Sequence, residues 1–185
     1  MDVIHTIEQR RAYRSLVPIN IDKKTIHDLA ESARLAPSCF NNQPWRYVFV
    51  TEKKRLQQMQ SALSKGNEWA YQASMIIAVF SKEKDDCVIR ERKYHQFDLG
   101  LSVGFMVLRA TELGLVAHPI AGYSPKETRK ILGIPNEYQI ITLVIVGKHT
   151  QKINPVLSKK QRQAEKTRPP RKDLKEFIYF NQYRE

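Results

Sequence analysis

Only two cysteines, Cys39 and Cys87, occur in 185 residues. Two are too few for a disulfide framework, and their spacing matches no zinc ligand set, so the sequence predicts a reducing compartment and no metal. Long apolar runs are also missing. No stretch approaches the roughly 20 residues of a membrane span, and MDVIHTIEQRR lacks the apolar core of a signal peptide, so a cytoplasmic protein with no membrane partner is expected. Neither GxGxxG nor a P-loop is present, which removes the common dinucleotide and nucleoside triphosphate folds as first readings. The histidines, His5, His27, His95, His118 and His149, show neither metal spacing nor a linked nucleophile. Acidic residues are scarce. Against 19 Asp and Glu stand 31 Lys and Arg, a formal charge of +12, and the stretch from Lys148 onward carries +7 of it. Such charge attracts phosphate whatever its carrier. A nucleic acid is not the expected carrier, because no aromatic residues interleave with the basic tail as a stacking platform requires.

The apolar residues that are present fall into readable patterns. Residues 2–12 predict a short helix capped by Asp2, with Val3, Ile4 and Ile7 on one face, delivering Arg10, Arg11 and Arg14 to its end. A second helix follows Asp22, with Ile26, Leu29, Ala30 and Ala33 in helical register before Pro37. Residues 46–51 read as a strand, and Leu56, Met59 and Leu63 as a helix. SMIIAVF at 74–80 and IITLVIV at 140–146 are apolar enough for strands buried on both faces. Residues 94–113 are apolar on nearly all sides, so that helix must be central or covered by a partner subunit. Ser124-Pro125-Lys126-Glu127 opens a two-turn helix that Gly133 closes. Residues 82–92 are polar and read as exposed. Residues 148–172 show no periodicity, yet the apolar cluster Phe177 to Phe180 follows them and needs a surface on which to dock. The class expected is α+β, one central mixed sheet wrapped by helices, in a single domain over residues 1–185 with 148–185 as a basic extension.

Four separated segments suit a phosphate or a planar polar ring. Arg10-Arg11-Ala12-Tyr13-Arg14 holds three guanidiniums able to grip a dianion through forked bonds. Pro37-Ser38-Cys39-Phe40-Asn41-Asn42-Gln43-Pro44-Trp45 offers paired amides on a loop stiffened by two prolines. At this point the chain resembles the nitroreductase family of flavoenzymes, whose signature matches Pro37, Ser38, Asn41, Gln43, Pro44 and Trp45 in residue and spacing.

The resemblance implies an FMN phosphate held by Arg10, Arg11 and Arg14, with Ala12 standing where the family usually has serine. It also implies ring contacts from Pro37, Ser38, Cys39, Asn41 and Gln43, and from Asn67 after Gly66. Main-chain amides of Pro119-Ile120-Ala121-Gly122 would meet the flavin near N5, and the basic pair Lys166 and Arg168 would complete the phosphate site. It further implies an intertwined homodimer with FMN sites at the interface, the basic extension lying on the partner. No catalytic side chain is expected, since the flavin N5 would carry hydride from NADH or NADPH to a nitroaromatic or quinone. Relatives acting in flavin breakdown, dehalogenation or alkene reduction are the alternative within the family, and a basic phosphate- or nucleic-acid-binding protein is the alternative outside it.

Overall fold

A computed structural model describes residues 2–183. Its elements, in order, are α1 (Val3–Gln9), β1 (Leu16–Val17), α2 (Lys23–Arg34), β2 (Arg46–Val50), α3 (Lys53–Met59), β3 (Met75–Ser81), β4 (Val88–Ile89), β5 (Arg92–Lys93), α4 (His95–Glu112), β6 (Val116–Ile120), α5 (Pro125–Leu132), β7 (Gln139–His149) and α6 (Lys159–Lys166). The class is α+β, as read. The expected mixed sheet is antiparallel in each of its ladders among the described residues: β7 pairs with β3 along one edge, with β6 and β1 along the other, and β2 lies outside β3. Apolar runs announce burial but carry no direction, which is why the sequence could not decide this.

Both long strands are buried on two faces because each side of the sheet has its own core. Ile76, Ala78 and Phe80 of β3 join Leu143 and Ile145 of β7 under Trp69 and Met59. Met75, Ile77 and Val79, with Val144 and Val146, face Leu29, Leu99 and Met106 of α2 and α4. The strict alternation along β3 divides its apolar side chains between the two cores, as a strand's period of two requires. α4 is central as expected on its inner face, where Leu99, Val103, Met106 and Ala110 are buried, while Phe97 and Phe105 remain exposed. Asp2, Asp22 and Ser124 cap their helices by accepting from the backbone N–H of His5, Thr25 and Glu127. Gly133 ends α5 with a φ of 66°, a left-handed value that a Cβ would disfavour.

Two expectations fail. The aperiodic basic stretch contains α6, which Ser158 and Gln161 open with a reciprocal capping box. Its eight residues bury one side chain, the carboxylate of Glu165, so no apolar stripe marked it. The cysteines also differ from expectation: Cys39 and Cys87, 48 residues apart, form a disulfide. The intervening strands and helix return residue 87 to the loop after α2, a proximity that sequence spacing does not record. Among the described residues, no helix is long and apolar enough to cross a membrane.

Candidate functional site

Where the chain leaves α1 it meets α6, and between them lies a cavity of about 390 Å³. Arg10, Arg11, Arg14, Lys160, Arg168 and Arg171 line it, and among the described residues no carboxylate does. Two of these guanidiniums build the walls. Arg11 donates to the carbonyls of Ala164 (2.6 Å) and Glu165 (3.3 Å) at the end of α6 and lies 4.5 Å over the Tyr13 ring. Arg168 reaches back to the carbonyls of Glu8 and of Arg10, the latter at 2.9 Å, and so fixes the end of α1. Both satisfy carbonyls that a helix C-terminus leaves without partners. Arg10 and Arg14 point charge at the cavity with less compensation. Burial lowers the pKa of each, and for Arg10 the like charges of Arg171 and Arg168 lower it further, whereas Glu165 opposes the shift at Arg14. A site of this kind favours an anion.

Glu165 is the residue the sequence did not reveal. Buried beneath the cavity, its carboxylate accepts from the backbone N–H of Arg14 (2.8 Å) and of Ser15 (3.0 Å), so α6 and the arginine segment are set against each other. Lys160 and Arg171 also escaped sequence reading. Lys160 reads as solvated surface until α6 is recognised, after which Lys160 and Ala164, four apart on one face, both reach the cavity. Lys166 ends α6 but does not line the cavity.

The segment that joins Asn67 to the end of β6 adjoins this cavity. Arg14 lies 5.9 Å over the ring of Trp69, Trp69 Nε1 donates to Asn67 Oδ1 (3.1 Å), and Asn67 Nδ2 donates to the Gly122 carbonyl (2.8 Å). Both ends of the Asn67 amide are thus engaged within the chain. A Cβ on Gly122 would collide with Asn67 Nδ2, so a larger residue there would displace the amide that holds its carbonyl. Pro119 and Ala121 are exposed on either side of buried Ile120. His118, on the same strand, stacks 4.8 Å from Trp69, and burial pushes its pKa down to about 4.

The amide loop lies elsewhere. Ser38 Oγ accepts from Gln43 N (3.0 Å) and Gln43 Nε2 donates to the Asn41 carbonyl (3.1 Å), closing a tight turn in which Phe40, Asn41 and Gln43 hold φ of 49°, 58° and 51°. Left-handed conformations at three non-glycine residues persist only where surroundings enforce them. Here Cys39 N donates to Asp98 Oδ2 at 2.6 Å, Asn42 Nδ2 donates to Asp86 Oδ1, and the disulfide joins the loop to Cys87. Pro37, Phe40 and Asn41 are exposed at its tip. Burial holds the Asp98 carboxyl above its usual range, the Cys39 amide opposes that, and the nearby Asp86 adds to it. Cys39, expected beside a cofactor as a free residue, instead has its sulfur in the disulfide. Within one chain the loop's bonds lead to Asp86, Cys87 and Asp98, not to the cationic cavity.

Known proteins share this architecture. An oxidoreductase described as containing FMN, 24% identical, superposes with a TM-score of 0.83 over 97% of this chain and 91% of its own. The NADH dehydrogenase of Thermus thermophilus is 22% identical over 170 residues, 75% of this chain and 82% of that protein. The iodotyrosine deiodinase of Haliscomenobacter hydrossis is 26% identical over 169 residues, 76% of each. Residues 7–68 and 56–148, most of the chain, match the profile of the Nitroreductase family, and the chain belongs to that family.

Proposed function

We propose that this protein is an FMN-dependent oxidoreductase that passes reducing equivalents from NADH or NADPH to small oxidised substrates such as nitroaromatics or quinones, working as a cytoplasmic homodimer. The observation that carries this reading is the cavity with six cationic side chains and, among the described residues, no carboxylate, adjoining the segment held by Asn67 and Gly122. Its size and charge suit a phosphate dianion: Arg10, Arg14, Lys160 and Arg171 take the charge, while Arg11 and Arg168 keep the walls in place. Bound there, FMN would supply the centre that accepts and returns hydride. The chain's own residues bind, orient and stabilise charge. Asn67 holds the end of β6 so that the Pro119 to Gly122 backbone faces the ring, and Ser38, Asn41 and Gln43 present hydrogen-bonding groups to its polar edge. Because no residue of that loop lines the cavity of its own chain, the loop serving each cavity is taken from a second copy, as the family resemblance implies. The exposed tail around Phe177 to Phe180 docks on that copy. The relatives described as containing FMN and as an NADH dehydrogenase support the cofactor pair.

The test is a visible spectrum of the purified protein before and after each nicotinamide. About one FMN per chain, bleached by NADH or NADPH and recoloured by a quinone, is expected. A colourless protein, or one holding FAD, overturns the reading. A second reading, reductive dehalogenation of an aromatic ring, is favoured by the deiodinase relative. Turnover of iodotyrosine far above that of nitroaromatics and quinones would select it.

A further inference from the structure

Beside the amide loop, acceptors gather without a cation. Sγ of Cys39, Sγ of Cys87 and a carboxylate oxygen of Asp86 lie within 4.8 Å of one another. Asp86 Oδ1 is fixed by the Cys87 amide (2.8 Å) and by Asn42 Nδ2 (3.3 Å), while its Oδ2 is buried with no hydrogen-bond donor facing it. The carboxyl of Asp98 is its neighbour and accepts from Cys39 N. Lys82 and Arg46, the nearby cations, pair with Asp85, and among the described residues no ion pair reaches Asp86 or Asp98. A disulfide needs none of this negative charge. Buried Asp98 and half-buried Asp86 thus stand side by side with no cation among the described residues set against them, an unfavourable arrangement for two carboxylates.

We infer that, when the two cysteines are reduced, Cys39, Cys87 and Asp86 form a binding site for a thiophilic divalent cation, zinc foremost, with Asp98 or water in the fourth position. Two thiolates and one carboxylate oxygen form a borderline-soft donor set that tetrahedral zinc accepts, and the fixed Oδ1 of Asp86 supplies the outer hydrogen bonds that orient a ligand. The proposed function matters here only in placing the chain in a compartment where thiols are kept reduced. An external dithiol gives two electrons and two protons to the Cys39–Cys87 bond and itself becomes a disulfide. Zinc then displaces the two thiol protons to water. The loop is tied to residue 87 in both states, by sulfur in one and by metal in the other.

The experiment uses the full chain as purified, reduced with a phosphine in one portion and oxidised with diamide in another. Each is dialysed against zinc and weighed by native mass spectrometry, with FMN content measured on the same samples. The reduced chain is expected to hold one zinc and the oxidised chain none. Cys87→Ser should hold none, and Asp86→Asn should bind about tenfold more weakly or worse. Should either variant misfold, wild type still decides: zinc must slow alkylation of Cys39 and Cys87 in the reduced chain. Equal zinc in both redox states, or alkylation indifferent to zinc, overturns the inference. Zinc without FMN would instead overturn the function proposed above and leave this site standing.

Discussion

Arginines that look alike in the sequence do different work once placed. Arg10 presents its charge to the cavity, whereas Arg168 spends its hydrogen bonds on the carbonyls of Glu8 and Arg10. Arg10→Ala should therefore weaken FMN by about 1.5 to 3 kcal/mol, roughly 10- to 150-fold, and leave riboflavin almost unaffected, which paired titrations would measure. Arg168→Ala should cost affinity for both ligands and lower the melting temperature as well. His118 gives a pH signature. Burial lowers its folded-state pKa from 6.5 to about 4, so between those values the unfolded chain takes up a proton that the folded chain refuses. Its contribution is complete above about pH 6.5 and declines as pH falls toward 4, by about 2 kcal/mol at pH 5. His118→Phe, which keeps a ring on Trp69, should remove that difference from urea unfolding compared at pH 7 and pH 5.

Among the elements, what the sequence disclosed was whatever buries much apolar surface, by a helical period in α2 and by nearly unbroken apolar runs in β3, β7 and α4. The loop from Ser38 to Trp45 was legible for a different reason, since its residue types and spacing are visible without any fold. α6 stayed hidden because its one buried side chain is a carboxylate, and with it went Glu165, Lys160 and the cavity wall that α6 forms. The disulfide stayed hidden because its partners meet only after the chain between them has folded. Glu165→Leu tests how much this unseen element matters. The substitution leaves the part-buried Arg14 amide and the buried Ser15 amide without an acceptor, a cost of about 2 to 6 kcal/mol at about 1 to 3 kcal/mol per group, measurable by denaturant unfolding. Glu165→Gln, which keeps one acceptor, should lose less than half as much.

At the scale of the whole molecule, an exposed apolar face awaits cover. Val3 is 72% exposed, and it joins Leu35, Phe105 and Leu108 around a groove of about 380 Å³ between α1, α2 and α4. A dimer that supplies each cavity with its mate's loop can be tested by mixing defects: Arg14→Glu in one chain, Ser38→Trp with Asn41→Asp in the other. Random pairing makes about half the dimers hybrid, each with one intact site, so co-refolding should restore roughly a quarter of wild-type activity. No recovery, with hybrids confirmed by mass, would show that one chain builds each site alone. The contact of Arg168 with Glu8 and Arg10 also sets a timetable. A ribosome makes the first arginines early and residues 158–171 after the whole sheet has been synthesised, so on the proposed function a nascent chain would carry half a phosphate site through most of its synthesis. Cofactor capture would then follow translation, and messages truncated before codon 158 should yield chains whose sheet can fold but which stay colourless however much FMN the cell supplies.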